Sequence, residues 1–215
     1  MPLPIGHALT GIAFFETRPG LFFKNKWADV LFFILLANLP DADFLPGLIL
    51  GFPNLYHHGI FHSLGAALAA AIVMGWIFSN LKQINLVKKQ DNLLSKLLIL
   101  RSGVYQKKQH FWRFSAFVFL IFFSHLLLDF FTRDFAAPYG LPLFWPLSKN
   151  YYIAAQPIFI NITRSALSAN FFSSLFSPHN LKAALLEIML LGGLVLLVGI
   201  ARWLLNKCTS RSRHH

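Results

Sequence analysis

The stretch FSAFVFLIFFSHLLLDFF, Phe114 to Phe131, reads as a membrane-spanning helix, yet it carries His125 and Asp129 near its far end. Residues four apart share one face of a helix, one turn from each other. Ionisable groups inside an apolar span are costly to place and usually mark function. Three other short motifs supply partners for this pair: His7, the run Asn38-Leu-Pro-Asp41-Ala-Asp43, and His58-Gly-Ile-Phe-His62-Ser63. Together they point to a small membrane protein with a metal site built from these pieces.

Composition supports a membrane chain. Of the 215 residues, 56% are hydrophobic and 13% are charged, against about 25% charged in soluble domains. A soluble helical protein with 24 Phe would expose large apolar patches. The length suits a single integral-membrane domain over 1–215. A net charge of +11 raises the question of nucleic acid, but the basic residues are unevenly placed. Eight of the 19 lie between Lys82 and Arg113 and four more from Arg202 onward. Clusters beside apolar spans follow the positive-inside rule and attract anionic headgroups, so no nucleic-acid partner is expected and membrane lipids are. The lone Cys208 excludes an intrachain disulfide and a cysteine-rich zinc site. The first residues, MPLPIGHALTGIAFFETR, lack a basic n-region and a clear cleavage site and read as retained.

Along the chain, residues 3–15 are apolar but short, a half-span or tilted helix with His7 near its start. Lys24 and Lys26 follow a polar turn. Residues 27–40 are apolar again, and Pro40 ends that helix. Phe44 to Asn54 contains Pro46, Gly47, Gly51 and Pro53 and reads as a loop or re-entrant turn. Residues 61–79 form an Ala-rich span, 80–113 a basic polar loop, 114–131 the next span, and 183–205 the longest apolar run. The fold class is therefore all-α, a multi-span helical membrane protein with about four or five transmembrane or half-span helices around a His/Asp pocket.

Lys and Arg alone place the 80–113 segment and the C-terminus in the cytoplasm. His7, Asp41, Asp43, His58, His62 and Glu187 then all fall toward the outer leaflet, with His125 about 9 Å below the outer end of its span. Imidazole and carboxylate are the usual zinc ligands and also serve manganese and iron. His125 with Asp129, and His58 with His62, would each present two ligands from adjacent turns of one helix. The plainer reading of each motif is structural: a buried His–carboxylate contact, helix-end Asp, a helix–helix hydrogen bond. His57 points elsewhere on a helix and reads as interfacial, His110 and His179 as solvated. Glu187 either supports a ligand or lies at the interface. Ser63 either caps a helix or bonds a ligand histidine. The final His214 and His215 are set aside.

An early His7, LPDAD, HGIFHS and HLLLD over residues 1–147 resemble the LexA-regulated, inner-membrane, metal-dependent hydrolase family (YdjM-like). Its pattern is an N-terminal histidine, LPDxD, an HRGxTHS-type segment and an HxxxD helix, then a loop before a PLFWP-like stretch. The family is similar at a distance to zinc-dependent phospholipase C and P1-type nucleases. The resemblance implies His7, Asp41, His58, His62, His125 and Asp129 as metal ligands, with Asp43 a ligand or the catalytic base. It implies a bacterial inner-membrane hydrolase of a phosphoester, a lipid phosphoester among the options, using a divalent ion such as zinc, manganese or iron. Gly59-Ile60-Phe61 departs from the pattern, lacking the basic residue that would hold phosphate. Residues 148–205 read as generic helical sequence and 206–215 as a basic tail. The competing classes are a proton- or metal-conducting transporter and a non-catalytic membrane protein with a structural metal.

Overall fold

The computed structural model describes residues 2–17, 22–23, 25–88, 93–132 and 139–211. Lys24, His214 and His215 lie outside the described residues, as do the side chains of 82–107 in the basic segment. The chain is all-α. In order come α1 (Pro4–Thr17), α2 (Lys26–Ala37), a 3₁₀ turn (Leu39–Asp43), α3 (Phe44–Ile49), a 3₁₀ turn (Ile60–His62), α4 (Leu64–Lys88), α5 (Leu93–Phe130), α6 (Ser168–Ser174) and α7 (Pro178–Arg211). Among the described residues β-pairing is limited to two isolated bridges, Thr132 with Phe159 and Leu141 with Tyr152.

Three stretches are long and apolar enough to cross a bilayer: Leu64–Leu81, Lys108–Phe130 and Pro178–Cys208. The 14 residues of α1 and 12 of α2 reach about 21 and 18 Å, short of a roughly 30 Å hydrocarbon core. These two helices are half-spans supported by neighbours: α1 packs on α2, α5 and α7, and α2 packs on α1 and α5.

Local chemistry sets the boundaries. Asn25 caps α2 by accepting from the Trp27 N–H. Asp29, fully buried, accepts from the Phe22 and Phe23 N–H groups at 3.0 and 2.7 Å. This folds the entering chain back and seats Phe22 against Phe33 and Phe114 in the aromatic core. At the other end of α2 Pro40 occupies the start of the 3₁₀ turn, and the Asn38 side chain bonds back to the Ile34 carbonyl. Ser63 caps α4, its hydroxyl accepting from the Ala66 N–H.

Three sequence expectations are corrected. Phe44–Asn54 is not wholly loop, since Phe44–Ile49 forms a short helix. The basic segment 80–113 is not a loop, because α4 continues to Lys88 and α5 starts at Leu93. No proline falls between Pro53 and Pro138, and Leu, Lys and Gln sustain a helix. The 38 residues of α5 measure about 57 Å, well beyond one bilayer core. Finally, His58 and His62 do not share a helix. His58 sits at φ +58, and only Ile60–His62 makes a single 3₁₀ turn before α4.

Helix directions gather the motif residues at one end. The helices α1 and α7 run parallel, tied by the Leu3 N–H to Glu187 (2.8 Å) at one end and by Arg202 to Glu16 (3.2 Å) at the other. Gly75 of α4 lies against Ser115 of α5, and His62 meets His125, so α4 and α5 are antiparallel. Gly11 lets α1 reach α2. A Cβ there would stand 2.6 Å from the Phe33 carbonyl oxygen and 3.2 Å from Ala37 Cβ.

Gly11→Ala is accordingly expected to cost about 1–3 kcal/mol through overpacking, read as a lowered melting temperature in detergent. Gly193→Ala, where an added Cβ meets nothing within 4 Å, is expected to be neutral or stabilising by up to about 1 kcal/mol.

Candidate metal centre

Asp129 is the penultimate residue of α5, with His125 one turn before it. Asp41 arrives from the turn after α2, and His62 from the turn before α4. His125 Nε2 lies 3.1 Å from Asp129 Oδ2 and 3.6 Å from Asp41 Oδ1. His62 Nε2 lies 3.4 Å from Asp129 Oδ2 and 3.5 Å from Asp41 Oδ1. The two Nε2 atoms are 3.2 Å apart. Four atoms arranged tetrahedrally around one ion at about 2.0–2.2 Å stand about 3.3–3.6 Å from each other. The spacings found here fall on the edges of such a tetrahedron.

The outer ring nitrogens decide what the inner ones can do. His125 Nδ1 stands 2.8 Å from the carbonyl oxygen of Ala37, the last residue of α2. A carbonyl only accepts, so Nδ1 carries the proton and Nε2 keeps its lone pair. His62 Nδ1 lies 3.0 Å from Asp43 Oδ2, close but off hydrogen-bond alignment; a proton held there would likewise leave the Nε2 lone pair for an ion. Two lone pairs and two carboxylate oxygens then converge on one point. No hydrogen-bond donor among the described residues reaches either oxygen of Asp41 or Asp129. The side chains of His62, His125 and Asp129 are wholly buried. Uncompensated buried carboxylates cost several kcal/mol each, and a divalent cation offsets two of them. The donor set fits such an ion, with Asp41, His62, His125 and Asp129 as its ligands.

The other sequence candidates surround this set. The His7 ring stacks on His125 with centroids 3.7 Å apart, and its Nε2 lies 3.6 Å from Asp129 Oδ1. It flanks the second oxygen of Asp129 instead of completing the tetrahedron. Asp43, expected as ligand or base, stands behind His62. Its Oδ1 accepts from His57 Nδ1 at 3.0 Å while Oδ2 faces His62. This is the carboxylate–imidazole arrangement that fixes a ligand's tautomer and orientation. Asp43, His57 and His62 also form a second group close enough to share an ion. His58 is buried, with its ring 4.2 Å from His57 and 5.3 Å from His62, but it belongs to neither ligand group.

His57 is a correction: expected at the interface, it is buried against Asp43. Consecutive residues diverge on a helix, whereas the turn at His58 lets both rings face inward. The adjacent histidines were the available signal, obscured by assuming a helix. Glu187, nearly inaccessible, accepts from the Leu3 N–H and anchors the start of α1. His179 is exposed, bonded to the Asn161 carbonyl, and His110 lies about 22 Å down α5 from His125.

Charge follows from this arrangement. Burial depresses the His57 pKa well below its ordinary value, and His58 adds to this, so His57 is neutral. Burial also pulls His62 down, but contacts with Asp129, Asp41 and Asp43 outweigh it and hold its pKa well above the ordinary value. Burial pushes Asp41 up, and the imidazoles, His125 foremost, more than reverse it. Without an ion, a proton on His62 balances part of the carboxylate charge, and an ion bound there would take that proton's place on Nε2.

The full chain purified in detergent is expected to hold a tightly bound divalent ion by elemental analysis. His125→Ala and Asp129→Asn should abolish this binding. Asp43→Asn should weaken it about 10–100-fold. Stoichiometric metal in both ligand variants would rule the site out.

No curated protein and no solved structure matches the chain. The family description that matches covers residues 1–205, so the C-terminal third, read as generic from sequence, is part of it, including the Glu187 anchor. With its three apolar spans and the His/Asp cluster at one end of its helices, the chain belongs to the YdjM inner membrane protein family.

Proposed function

We propose that this protein is a membrane-embedded, metal-dependent phosphoester hydrolase working at headgroup depth. The observation that carries this reading is an asymmetry in the centre. Three ligand side chains are fully buried, while that of Asp41 is 11% exposed and lines a cavity of about 890 Å³, with its two oxygens just beneath the cavity wall. Structural zinc sites have four protein ligands and catalytic ones three with an open position, so in this reading Asp41, the ligand beside the cavity, yields its place to water or substrate.

Two imidazoles and two carboxylates suit zinc, with manganese and iron as alternatives. A divalent ion in this position supplies Lewis acidity and brings the pKa of water toward about 7. The chain's own groups have separate tasks. His62 and His125 direct Nε2 inward, held by Asp43 and the Ala37 carbonyl. Asp41 Oδ2, itself buried and reached by no donor, is the acceptor available to a water that penetrates from the cavity. Asp43 has both oxygens engaged by histidines and acts through His62. Arg113 of α5 and Arg202 and Lys207 of α7 lie toward the helix ends away from the centre, which favours an outer-leaflet site by the positive-inside rule. The motif resemblance to metal-dependent hydrolases supports the same chemistry.

Hydrolysis of a soluble chromogenic phosphodiester and of a lipid phosphoester tests this reading. Wild-type protein should turn over at least one, and Asp129→Asn and His125→Ala should lose at least about 100-fold in rate. Equal rates in all three chains would remove the enzyme. Metal or proton flux in liposomes that vanishes in the same variants would replace it with a transporter.

A further inference from the structure

The cavity beside Asp41 is larger than a water channel to the centre needs. Its 890 Å³ lies near the top of the roughly 300–1,000 Å³ range of small-molecule sites. Its walls come from α1, α2, α3 and α6 and are apolar except for Asn38, Asp41 and Arg164. Among the described residues Arg164 is the one basic side chain lining it. Its guanidinium carbon lies 4.8 Å from the centre of the Phe44 ring. Phe44 in turn stacks on His57 (4.1 Å, 7° between planes), and His57 bonds Asp43 behind the metal ligand His62. A guanidinium stacked in this way donates within its own plane, in a geometry suited to phosphate oxygens.

The rim is apolar and open. Ile5, Leu35, Leu39, Leu45 and Phe172 line the cavity and are each more than a third exposed. In a chain of a membrane family with three apolar spans, an exposed apolar rim of this kind suits contact with lipid. A soluble phosphoester would gain nothing from these walls. A phosphate-bearing lipid meets all three features: hydrocarbon for the walls, anionic phosphate for Arg164, and headgroup depth for the centre.

We infer that the cavity binds a phosphate-bearing lipid, with a hydrocarbon chain along α1–α2–α3–α6 and the phosphate held by Arg164 beside Asp41. This rests on, and deepens, the hydrolase reading by naming its substrate class. It also supplies the cation that Gly59-Ile60-Phe61 lacks.

The test separates binding from turnover by using the full-length Asp129→Asn chain in neutral detergent. Native mass spectrometry measures the affinity of dioleoyl phosphatidic acid, of dioleoylglycerol, and of both with inorganic phosphate added. Phosphatidic acid is expected to bind at least about tenfold more tightly than the diacylglycerol. Adding Arg164→Gln should abolish that preference, and Arg164→Lys should keep part of it. Filling the cavity with Ala8→Phe should weaken both lipids. Inorganic phosphate should displace neither. With Asp129 intact, Arg164→Gln and Ala8→Phe chains should retain wild-type metal content, which shows that they fold. An unchanged preference in Arg164→Gln, unchanged affinities in Ala8→Phe, or displacement by inorganic phosphate would overturn the lipid site. Since binding is read without turnover, a lipid that binds as expected to a hydrolytically inactive wild type would sink the enzyme and leave the site standing.

Discussion

The 3.2 Å approach of His62 Nε2 to His125 Nε2, between two donor-less carboxylates, is the interaction on which the rest of the molecule depends. Four electron-rich groups do not assemble by themselves inside a helical bundle. Each must be held by something outside the cluster, and much of the architecture does this. The end of α2 stops at Ala37, so that its carbonyl is available to His125. The Leu39–Asp43 turn delivers two carboxylates that serve different purposes, Asp41 toward the centre and Asp43 toward the back of His62. Glu187 ties down the N-terminus of α1, one turn from His7.

The short helices make sense in these terms. A full-length α2 would carry the chain across the bilayer and away from α5. At 12 residues it ends at the level of His125, where a polar turn can sit among neighbours. Irregular backbone at membrane depth is tolerated only where protein or a watery cavity surrounds it, and here the turn after α2 packs on α3, α5 and the 3₁₀ turn before α4. The aromatic core of Phe22, Phe33, Phe78 and Phe114 lies away from the centre and fixes how α2, α4 and α5 pack. The centre is therefore built of polar groups while apolar packing elsewhere supplies stability.

The cavity wall carries the same economy outward. Arg164, Phe44, His57, Asp43 and His62 form one stacked and hydrogen-bonded series from the lipid-facing side to the metal ligands. It joins α3, the loop before α6 and the turn before α4, segments that look unrelated along the chain.

Read alone, the sequence determined the membrane class, the all-α fold, and the residue types that gather at one end. These depend on local properties: apolar run length, proline and glycine punctuation, and the four-residue spacing of His125 and Asp129, which one helix enforces whatever surrounds it. The same reasoning failed where the backbone is not helical. Positive φ at His58 breaks the spacing rule, so His58 and His62 do not form a one-helix pair and His57 turns inward against Asp43. Only the tertiary structure decided which ring nitrogens converge, that Asp43 stands between His57 and His62, and that Arg164, about 120 residues from Phe44 in sequence, shares a wall with it. Those facts depend on which distant backbone groups are brought together, and distances set by packing leave no periodic mark in the chain.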